Sequence, residues 1–481
     1  MSDIRSLEPK IVWEQFYNLT QVPRPSKNEG KAVDYLINFA KKHNFEYQTD
    51  NFGNVIIRKP AIQGKENSPS IVIQNHIDMV CEKNDGTIFD FNNDSIKTLI
   101  DGDWVTADGT TLGADNGIGA AMGLSILLDE KVKHGPIEVL FTTDEESGMT
   151  GAIGLGSDLI KSKLMLNLDT EEEGAIYIGC AGGKTTIIER EFEPNEHEGS
   201  LFSYEVTING LKGGHSGLMI HYGLGNAIKL AGRLISHIID INENVYISSI
   251  VGGEKHNAIP REAKFIISFE DNFDLEKVCS DFTEIFKKEL KGVDEGILIT
   301  SKRLESAPNV MCRNYTKLLK NLIMILPHGV GSFSNEVHGL VETSTNLASI
   351  NMQNYKLRIV TSQRSFVKTK LDGISAKVRA CGLIAGCNVT HSDGYPSWQP
   401  NSESPLLKKA GEVHKEIFGK SAEIKAIHAG LECGLLSEKY PEMDIISIGP
   451  DITGAHSPDE RVKISSVGNI YKFVKGIIEA Y

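Results

Sequence analysis

The chain has 481 residues, of which 40% are hydrophobic and 24% charged, as is ordinary for a globular protein. This length exceeds what one hydrophobic core usually serves, so two or more domains are expected. The formal net charge of -14 argues against nucleic acid or an anionic membrane as the main partner, because both attract clustered Lys and Arg.

Nothing in the sequence predicts export or membrane insertion. The first residues, "MSDIRSLEPKIVWEQF", lack the basic-then-apolar pattern of a signal peptide. No stretch approaches the ~20 apolar residues that a membrane helix needs. The seven cysteines are scattered and form no C-x-x-C pair, which is typical of reduced thiols. We therefore expect a cytoplasmic protein.

Helices and strands alternate in the first part of the chain. "EGKAVDYLINFAKKHNF" has apolar residues at helical spacing, and "SIVIQNHIDMV" is β-branched and strand-like. "ADNGIGAAMGLSILLDEK" is apolar enough for a buried helix, and "PIEVLFTTDEESG" and "LMLNLDTEEEG" are strands that end in acidic residues. This alternation, with strands apolar on both faces, predicts an α/β fold on a mostly parallel sheet.

The pattern changes near residue 185. "LFSYEVTINGLKGG" alternates like a half-exposed strand, and "GLGNAIKLAGRLISHIIDI" is an amphipathic helix. After "DGYPSWQP" the chain returns to a helix and short buried strands. We predict one domain built from residues 1–184 and 399–481, interrupted by an inserted α+β domain over residues 185–398.

Acidic residues and histidines cluster at the predicted strand ends and in neighbouring loops. In α/β sheets, ligands bind beyond the carboxyl ends of the strands. The set contains no cysteine, and its His and carboxylate groups suit Zn²⁺, Mn²⁺ or Co²⁺. A surplus of carboxylates also suits a ligand shared between two ions. The residues are His76, Asp78, Asp115, Asp144, Glu145, Glu146, Asp169 and His456.

Each of these residues also has a simpler interpretation. Asp115 could cap the helix that follows it. The acidic run at 144–146 and the one that follows Asp169 could be solvated loops, and His456 could be a turn residue. Spacing by itself leaves these interpretations open beside a metal site.

Five motifs in order resemble the M20 metallopeptidase family, and closely its cytosolic non-specific dipeptidases (aminoacyl-histidine dipeptidases). They are "NHIDMV", "GADNGIG", "TTDEESGMTGA", "LNLDTEE" and "GAHSPDERV". The resemblance covers essentially the whole chain, including the inserted part. It implies a catalytic domain that binds two divalent metal ions and an inserted domain that serves as a lid and in dimerisation. Zn²⁺ is the metal expected first, and Co²⁺ and Mn²⁺ are the alternatives.

The resemblance also implies a role for each matched residue. Asp78 orients a metal-binding histidine, and Glu145 is the general base. Asp115 bridges the two ions, and Asp144 is left as a solvated neighbour or a supporting group. The implied metal ligands are His76, Asp115, Glu146, Asp169 and His456.

Three residues of the inserted domain match substrate-binding positions of the family. They are His215 in "GGHSG", Asn257 in "KHNAIPRE" and Arg364 in "VTSQRSF". Arg suits a bidentate grip on a substrate carboxylate. The first two residues could instead be turn residues, and Arg364 could form a surface salt bridge.

The implied activity is hydrolysis of dipeptides with a free amino terminus, Xaa-His among them, by a metal-activated water in a homodimer. An aminoacylase or deacylase of the same superfamily, acting on N-acyl amino acids, is the alternative. The glycines of "GADNGIG" also invite a nucleotide-dependent oxidoreductase, but no G-x-G-x-x-G follows a strand and no P-loop occurs. A serine hydrolase would need G-x-S-x-G, which is absent. A metal-free binding protein would leave the crowded carboxylates to repel one another.

Overall fold

The computed structural model describes residues 3–193, 197, 200–305, 309–335, 337 and 339–481. The chain divides into two compact units. The first unit contains the chain up to Gly179 together with Trp398–Ala426 and Leu431–Tyr481. The second, called the inserted unit below, contains Cys180–Ser397 and Ile427–Gly430. The short segment joins the inserted unit where Ala181 donates a backbone hydrogen bond to the carbonyl of Ile427.

Helices and strands alternate through the first part of the chain, after a 3₁₀ turn at Ile4–Ser6. The helices are α1 (Lys10–Thr20), α2 (Gly30–Lys42), α3 (Ala114–Leu128), α4 (Glu145–Gly148) and α5 (Thr150–Gly154). The strands are β1 (Glu46–Thr49), β2 (Val55–Lys59), β3 (Ile71–His76), β4 (Thr98–Asp101), β5 (Trp104–Ala107), β6 (Ile137–Thr142), β7 (Leu164–Asn167) and β8 (Ala175–Cys180).

The middle of the chain is richer in strands. Its strands are β9 (Gly182–Glu191), β10 (Phe202–Asn209), β11 (Gly214–His215), β12 (Val245–Gly252), β13 (Ala258–Ile259), β14 (Ala263–Phe269), β15 (Leu298–Arg303), β16 (Gly329–Phe333), β17 (Val341–Gln353), β18 (Lys356–Ser365) and β19 (Asn388–His391). Its helices are α6 (Ala227–Ile241), α7 (Leu275–Glu289), α8 (Arg313–Ile325) and α9 (Lys368–Ile384), with a 3₁₀ turn at Ile220–Tyr222. The last part contains α10 (Pro405–Phe418), β20 (Glu423–Ile427), α11 (Glu432–Lys439), β21 (Asp444–Ser447), β22 (Ile452–Thr453), β23 (Arg461–Lys463) and α12 (Ile464–Glu479).

The first unit is built on an eight-stranded sheet in the order β1-β2-β6-β3-β7-β21-β8-β20. Its four central strands, β6, β3, β7 and β21, run parallel, whereas β1, β2 and β8 pair antiparallel with their neighbours. Every residue of β3 and β6 is buried, because helices or loops cover both faces. The predicted α/β class with a mostly parallel sheet is confirmed. A separate four-stranded sheet has the order β22-β23-β5-β4.

Helix α3 carries Gly119 of "GADNGIG" and, about one turn later, Gly123, and it packs on β3, β6 and α1. A Cβ atom added at Gly119 would lie 2.6 Å from the carbonyl oxygen of Leu168 and 2.7 Å from Oδ1 of Asn75. A Cβ atom at Gly123 would lie 2.8 Å from Cγ1 of Val139. These glycines therefore let the helix approach the sheet closely, which accounts for them without a nucleotide.

The inserted unit contains a nine-stranded sheet in the order β15-β10-β14-β12-β17-β18-β9-β19, with β16 also paired to β17. All of these pairs are antiparallel. Helix α6 is capped at its start by the side chain of Asn226, which accepts from the backbone of Ile228 and Lys229. The helices of this unit pack on the sheet and enclose a second hydrophobic core. Across the described residues, each helix is too short or too polar to cross a membrane.

Candidate metal centre

The predicted ligands of the first unit gather at one edge of its sheet. His76 is the last residue of β3, and Glu145 and Glu146 follow the end of β6 after two residues. Asp169 follows the end of β7. Because these three strands are parallel neighbours, their carboxyl ends bring the side chains together.

Asp115 and His456 complete the cluster. The Oδ1 atom of Asp115 lies 3.2 Å from Nε2 of His76, and its Oδ2 atom lies 3.1 Å from Nε2 of His456. Nε2 of His76 is also 3.2 Å from Oδ1 of Asp169, and Nε2 of His456 is 2.9 Å from Oε2 of Glu146. Two sets of potential ligands therefore share the carboxylate of Asp115.

Asp115 does not cap its helix. Gly113 precedes α3 in a left-handed conformation, and no side chain caps this helix. The backbone of Asp115 is itself non-helical (φ -80°, ψ 109°), and its peptide bond to Asn116 is cis. The Nδ2 atom of Asn116 donates to the carbonyl of Leu168 at 2.6 Å. The carboxylate of Asp115 is thus free to face the two histidines.

Asp78 contacts His76 and the backbone of both glutamates of the cluster. Its Oδ1 atom lies 3.3 Å from Nδ1 of His76 and accepts from the backbone N–H of Glu145 at 3.0 Å. Its Oδ2 atom accepts from the N–H of Glu146 and the hydroxyl of Ser26. Burial opposes ionisation of Asp78, but His76 and these donors lower its pKa to about 2. An anion at this position keeps the proton of the imidazole on Nδ1 and leaves Nε2 to bind a metal.

Glu145 and Glu146 stand in different surroundings. Glu146 contacts His456, whereas no such histidine contact is found for Glu145 within the described residues. Burial raises the pKa of Glu145 well above its usual range, and the charges of Asp169, Glu432 and Glu146 add to this against the opposing effect of His76. A carboxyl group with a raised pKa suits general acid–base work.

The donor set fits a divalent cation. His76, Asp115 and Glu146 each offer one ligand atom, and these atoms lie within 4.8 Å of one another. Buried oxygens of Glu146 and Asp169 have no hydrogen-bond donor among the described residues. Hydrogen bonds to Asp115 and Glu146 also raise the pKa of His456. A cation would compensate the negative charge of the carboxylates of Asp115, Glu146 and Asp169. A set of His nitrogens and carboxylate oxygens suits Zn²⁺, Mn²⁺ or Co²⁺.

The acidic run at 144–146 is not a solvated loop. Asp144 is buried, and its Oδ2 atom accepts from the hydroxyl of Thr150 at 2.6 Å. Its backbone N–H donates to Oε1 of Glu29 at 3.1 Å. With its positive φ of 54°, Asp144 forms the turn that presents Glu145 and Glu146. Of the two interpretations left for Asp144, the solvated neighbour is wrong.

The sequence analysis did not identify Arg24 and Glu432, two buried charged residues close to the cluster. Arg24 donates to the carbonyls of Ile77, Asp78 and Gly113. Glu432, from the motif "HAGLECG", accepts from Nε2 of Gln74 at 2.7 Å and from the hydroxyl of Thr142 at 2.5 Å. A glutamate in an otherwise small and apolar motif was the available signal for Glu432, whereas the sequence around Arg24 gives none.

The inserted unit places His215 and Asn257 side by side. His215 in β11 pairs with Ala258 in β13, and the N–H of Ser216 donates to the carbonyl of Asn257 at 2.8 Å. Both residues line a cavity of 650 Å³ that is formed by this unit alone.

Arg364 and His215 meet around Gly217. A Cβ atom at Gly217 would lie 3.1 Å from Nε of Arg364, 3.2 Å from Cε1 of His215 and 2.1 Å from the carbonyl oxygen of His428. Nη1 of Arg364 donates to the hydroxyl of Tyr395 at 2.8 Å. Burial and Arg364 lower the pKa of His215 to about 4 and that of His428 to about 3, so both are neutral at pH 7. Arg364 is buried and forms no salt bridge among the described residues, so the alternative interpretation as a surface salt bridge is wrong. The sequence assigned no role to His428.

Comparison with known proteins extends these observations. Residues 72–480 match the peptidase family M20/M25/M40. The chain is 40% identical to the cytosol non-specific dipeptidase of Escherichia coli, over 100% of this chain and 99% of that protein. It matches the crystal structure of aminoacylhistidine dipeptidase from Vibrio alginolyticus with a TM-score of 0.91 and 38% identity, covering 100% of this chain and 98% of the other. Aminopeptidase PepT from Bacillus cereus, at 16% identity and a TM-score of 0.58 over 98% and 99% of the chains, shares the fold.

Proposed function

The chain belongs to peptidase family M20/M25/M40, as its motifs predicted, and from this premise we propose that it hydrolyses dipeptides with a free amino terminus, Xaa-His among them. The observation that carries the proposal is the position of Asp115, whose two oxygens face different histidines. This arrangement supports two divalent cations bridged by one carboxylate. Zn²⁺ is the cation proposed first, with Co²⁺ or Mn²⁺ as alternatives.

Each side chain of the cluster has a distinct task in this proposal. His76 and Asp169 would hold one cation, His456 and Glu146 would hold the other, and Asp115 would contribute to both. Two bound cations would polarise the scissile carbonyl and lower the pKa of a water molecule.

Glu145 would take a proton from the attacking water molecule and deliver it to the leaving amine. Its raised pKa supports this task, because a carboxylate with a low pKa would take up the proton poorly. Asp78 keeps the tautomer of His76 and fixes the backbone of Glu145 through the 3.0 Å hydrogen bond.

The inserted unit supplies the substrate contacts in this proposal. Arg364 binds the free carboxylate of the dipeptide, because a guanidinium group matches a carboxylate bidentately. Neutral His215, of the same chain or of a partner in the dimer, would donate a hydrogen bond to the developing oxyanion. Asn257 lines the same cavity of the inserted unit as His215. We further propose that this unit is a lid and dimerisation domain of a cytoplasmic homodimer that binds neither nucleic acid nor membranes.

The test is hydrolysis of a small panel of substrates by chelator-stripped protein, with and without added Zn²⁺, Mn²⁺ or Co²⁺. The panel contains β-alanyl-histidine, other dipeptides and an N-acetyl amino acid. Metal-restored cleavage of dipeptides with a free amino group is the expected result. Cleavage of the N-acetyl compound alone would establish the aminoacylase alternative, and no turnover with any metal would reject the proposal.

A further inference from the structure

Glu460 ties together two loops of the candidate metal centre. It lies four residues after His456 and is 2% exposed. Its Oε2 atom accepts from the backbone N–H groups of Leu112 and Gly113 at 2.7 and 2.8 Å, and its Oε1 atom accepts from the N–H of Asp115 at 3.1 Å. One carboxylate therefore holds the turn that presents Asp115.

Arg24 holds the same turn from another side. Its Nη2 atom donates to the carbonyl of Gly113 at 2.5 Å, and its Nη1 atom donates to the carbonyls of Ile77 and Asp78 at 2.9 and 3.0 Å. A Cβ atom at Gly113 would lie 2.5 Å from Nη2 of Arg24, and the φ of Gly113 is +69°, so glycine is required there. Arg24 links the turn to the end of β3, whereas Glu460 links it to the loop of His456.

A buried carboxylate needs a reason to be retained, because its removal from water is unfavourable. Glu460 has no task in the chemistry proposed above. Hydrogen bonds from three backbone N–H groups offset part of this cost and fix the turn, although burial still raises the pKa of Glu460. The position of Asp115 between the two histidines depends on that turn.

We propose that Glu460 is a positioning residue that sets how the carboxylate of Asp115 is shared between the two cation positions. The inference rests on the proposed two-metal function. Loss of the carboxylate should affect the two positions unequally. His76 and Asp169 lie at strand ends, and Arg24 links the end of β3, which carries His76, to the turn. The loop of His456 is instead held to the turn through Glu460.

Glu460→Gln is the direct test. One of its two side-chain oxygens becomes an NH₂ group, which cannot accept from the backbone and faces N–H donors instead. Asp459→Asn is the matched control, because it removes the same charge from an exposed neighbour in the same loop. Glu460→Asp is prepared as a second variant, because it keeps the charge but is too short to reach all three donors.

The measurement is titration of each chelator-stripped protein with Co²⁺, followed by calorimetry and by visible absorption of the bound ion. The wild type and Asp459→Asn should bind two ions alike. Glu460→Gln should bind one ion normally and the other about 10- to 100-fold more weakly. Its kcat for a dipeptide should recover as Co²⁺ is raised, with KM unchanged.

The inference would be overturned if Glu460→Gln bound both Co²⁺ ions with wild-type affinity, or if it lost affinity equally at both positions. If Glu460→Gln does not fold, the same comparison is decided with Glu460→Asp. A wild-type protein that fails to bind two ions would instead reject the proposed function, so the two failures are distinguishable.

Discussion

The Nδ1 atom of His76 lies 3.3 Å from the Oδ1 atom of Asp78, two residues further along the chain. Both side chains are buried, and alternate residues of an extended segment point to the same side. The same carboxylate also accepts from the backbone of Glu145 and Glu146. Asp78 therefore couples the orientation of one proposed ligand to the position of the proposed base.

Asp78→Asn should weaken cation binding about 10- to 100-fold, because an amide neither fixes the tautomer of His76 nor accepts all of these hydrogen bonds. Calorimetric titration with Zn²⁺ measures the change. Ser26→Ala is the graded control, since it removes only one donor, at 2.7 Å, and keeps the carboxylate. Equal affinities for wild type and Asp78→Asn would refute the orienting role.

Asp115→Asn should disturb both cation positions, because its two oxygens face His76 and His456 separately. Metal content per chain after dialysis against Zn²⁺ is the measurement. Asp108→Asn, at an exposed carboxylate, should keep the wild-type content. Two ions retained by Asp115→Asn would remove this residue as the bridge.

Glu145→Gln and Glu146→Gln form a matched pair, since the residues are adjacent and carry the same charge. Glu145→Gln should bind two cations and lose about 10²- to 10⁴-fold in kcat, the usual contribution of a general base. Glu146→Gln should lose affinity for the cation beside His456, because its carboxylate is the group 2.9 Å from that histidine. Metal titration together with turnover separates the two roles, and full activity of Glu145→Gln would contradict its role as base.

The central sheet and the gathering of the proposed ligands followed from the sequence. Strands such as "IVIQNH" are apolar on both faces and end in polar residues, so a parallel arrangement brings those ends together. The roles of individual residues came from the motif resemblance, because spacing cannot distinguish a bridging Asp115 from a helix cap. The structure adds that the two oxygens of Asp115 face different histidines, His76 and His456.

The supporting charges could not be predicted in the same way. Arg24 and Glu460 bind backbone groups that lie far away in sequence, and backbone groups leave no mark on residue identity. His428 lies in the segment 427–430, which belongs to the inserted unit although the surrounding chain belongs to the first. The assignment of this short segment to the inserted unit depends on tertiary packing, which cannot be predicted from the local periodicity of the sequence.

Gly119→Ala should destabilise the protein by about 1–3 kcal/mol, because the new methyl group would overlap the carbonyl of Leu168 and the side chain of Asn75. Gly373→Ala in α9 is the control, because its added Cβ meets nothing within 4 Å. That substitution should stabilise by about 0.5–1 kcal/mol through helix propensity. Urea unfolding of both variants tests whether close packing requires glycine at position 119. An unchanged free energy of unfolding in Gly119→Ala would contradict that explanation.

The inserted unit should lose stability in mild acid because of His428. Burial lowers the pKa of this residue to about 3, and the charges of Arg364, His221 and His215 act in the same direction. Between pH 6.5 and 3 the unfolded chain therefore binds the proton that the folded unit excludes, so stability falls as the pH falls. One such histidine contributes about 2 kcal/mol of this loss between pH 6.5 and pH 5.

His428→Gln should reduce this dependence and leave the smaller contributions of His215 and His328, whose pKa values are both lowered to about 4. Amide hydrogen exchange in β17 and β18, corrected for the intrinsic effect of pH, measures the stability of this unit. Metal-stripped protein is used so that proton competition for the cations plays no part. His237→Gln, at an exposed position of α6, should keep the wild-type slope. An unchanged slope in His428→Gln would show that the acid sensitivity of this unit arises from other groups and would contradict the prediction.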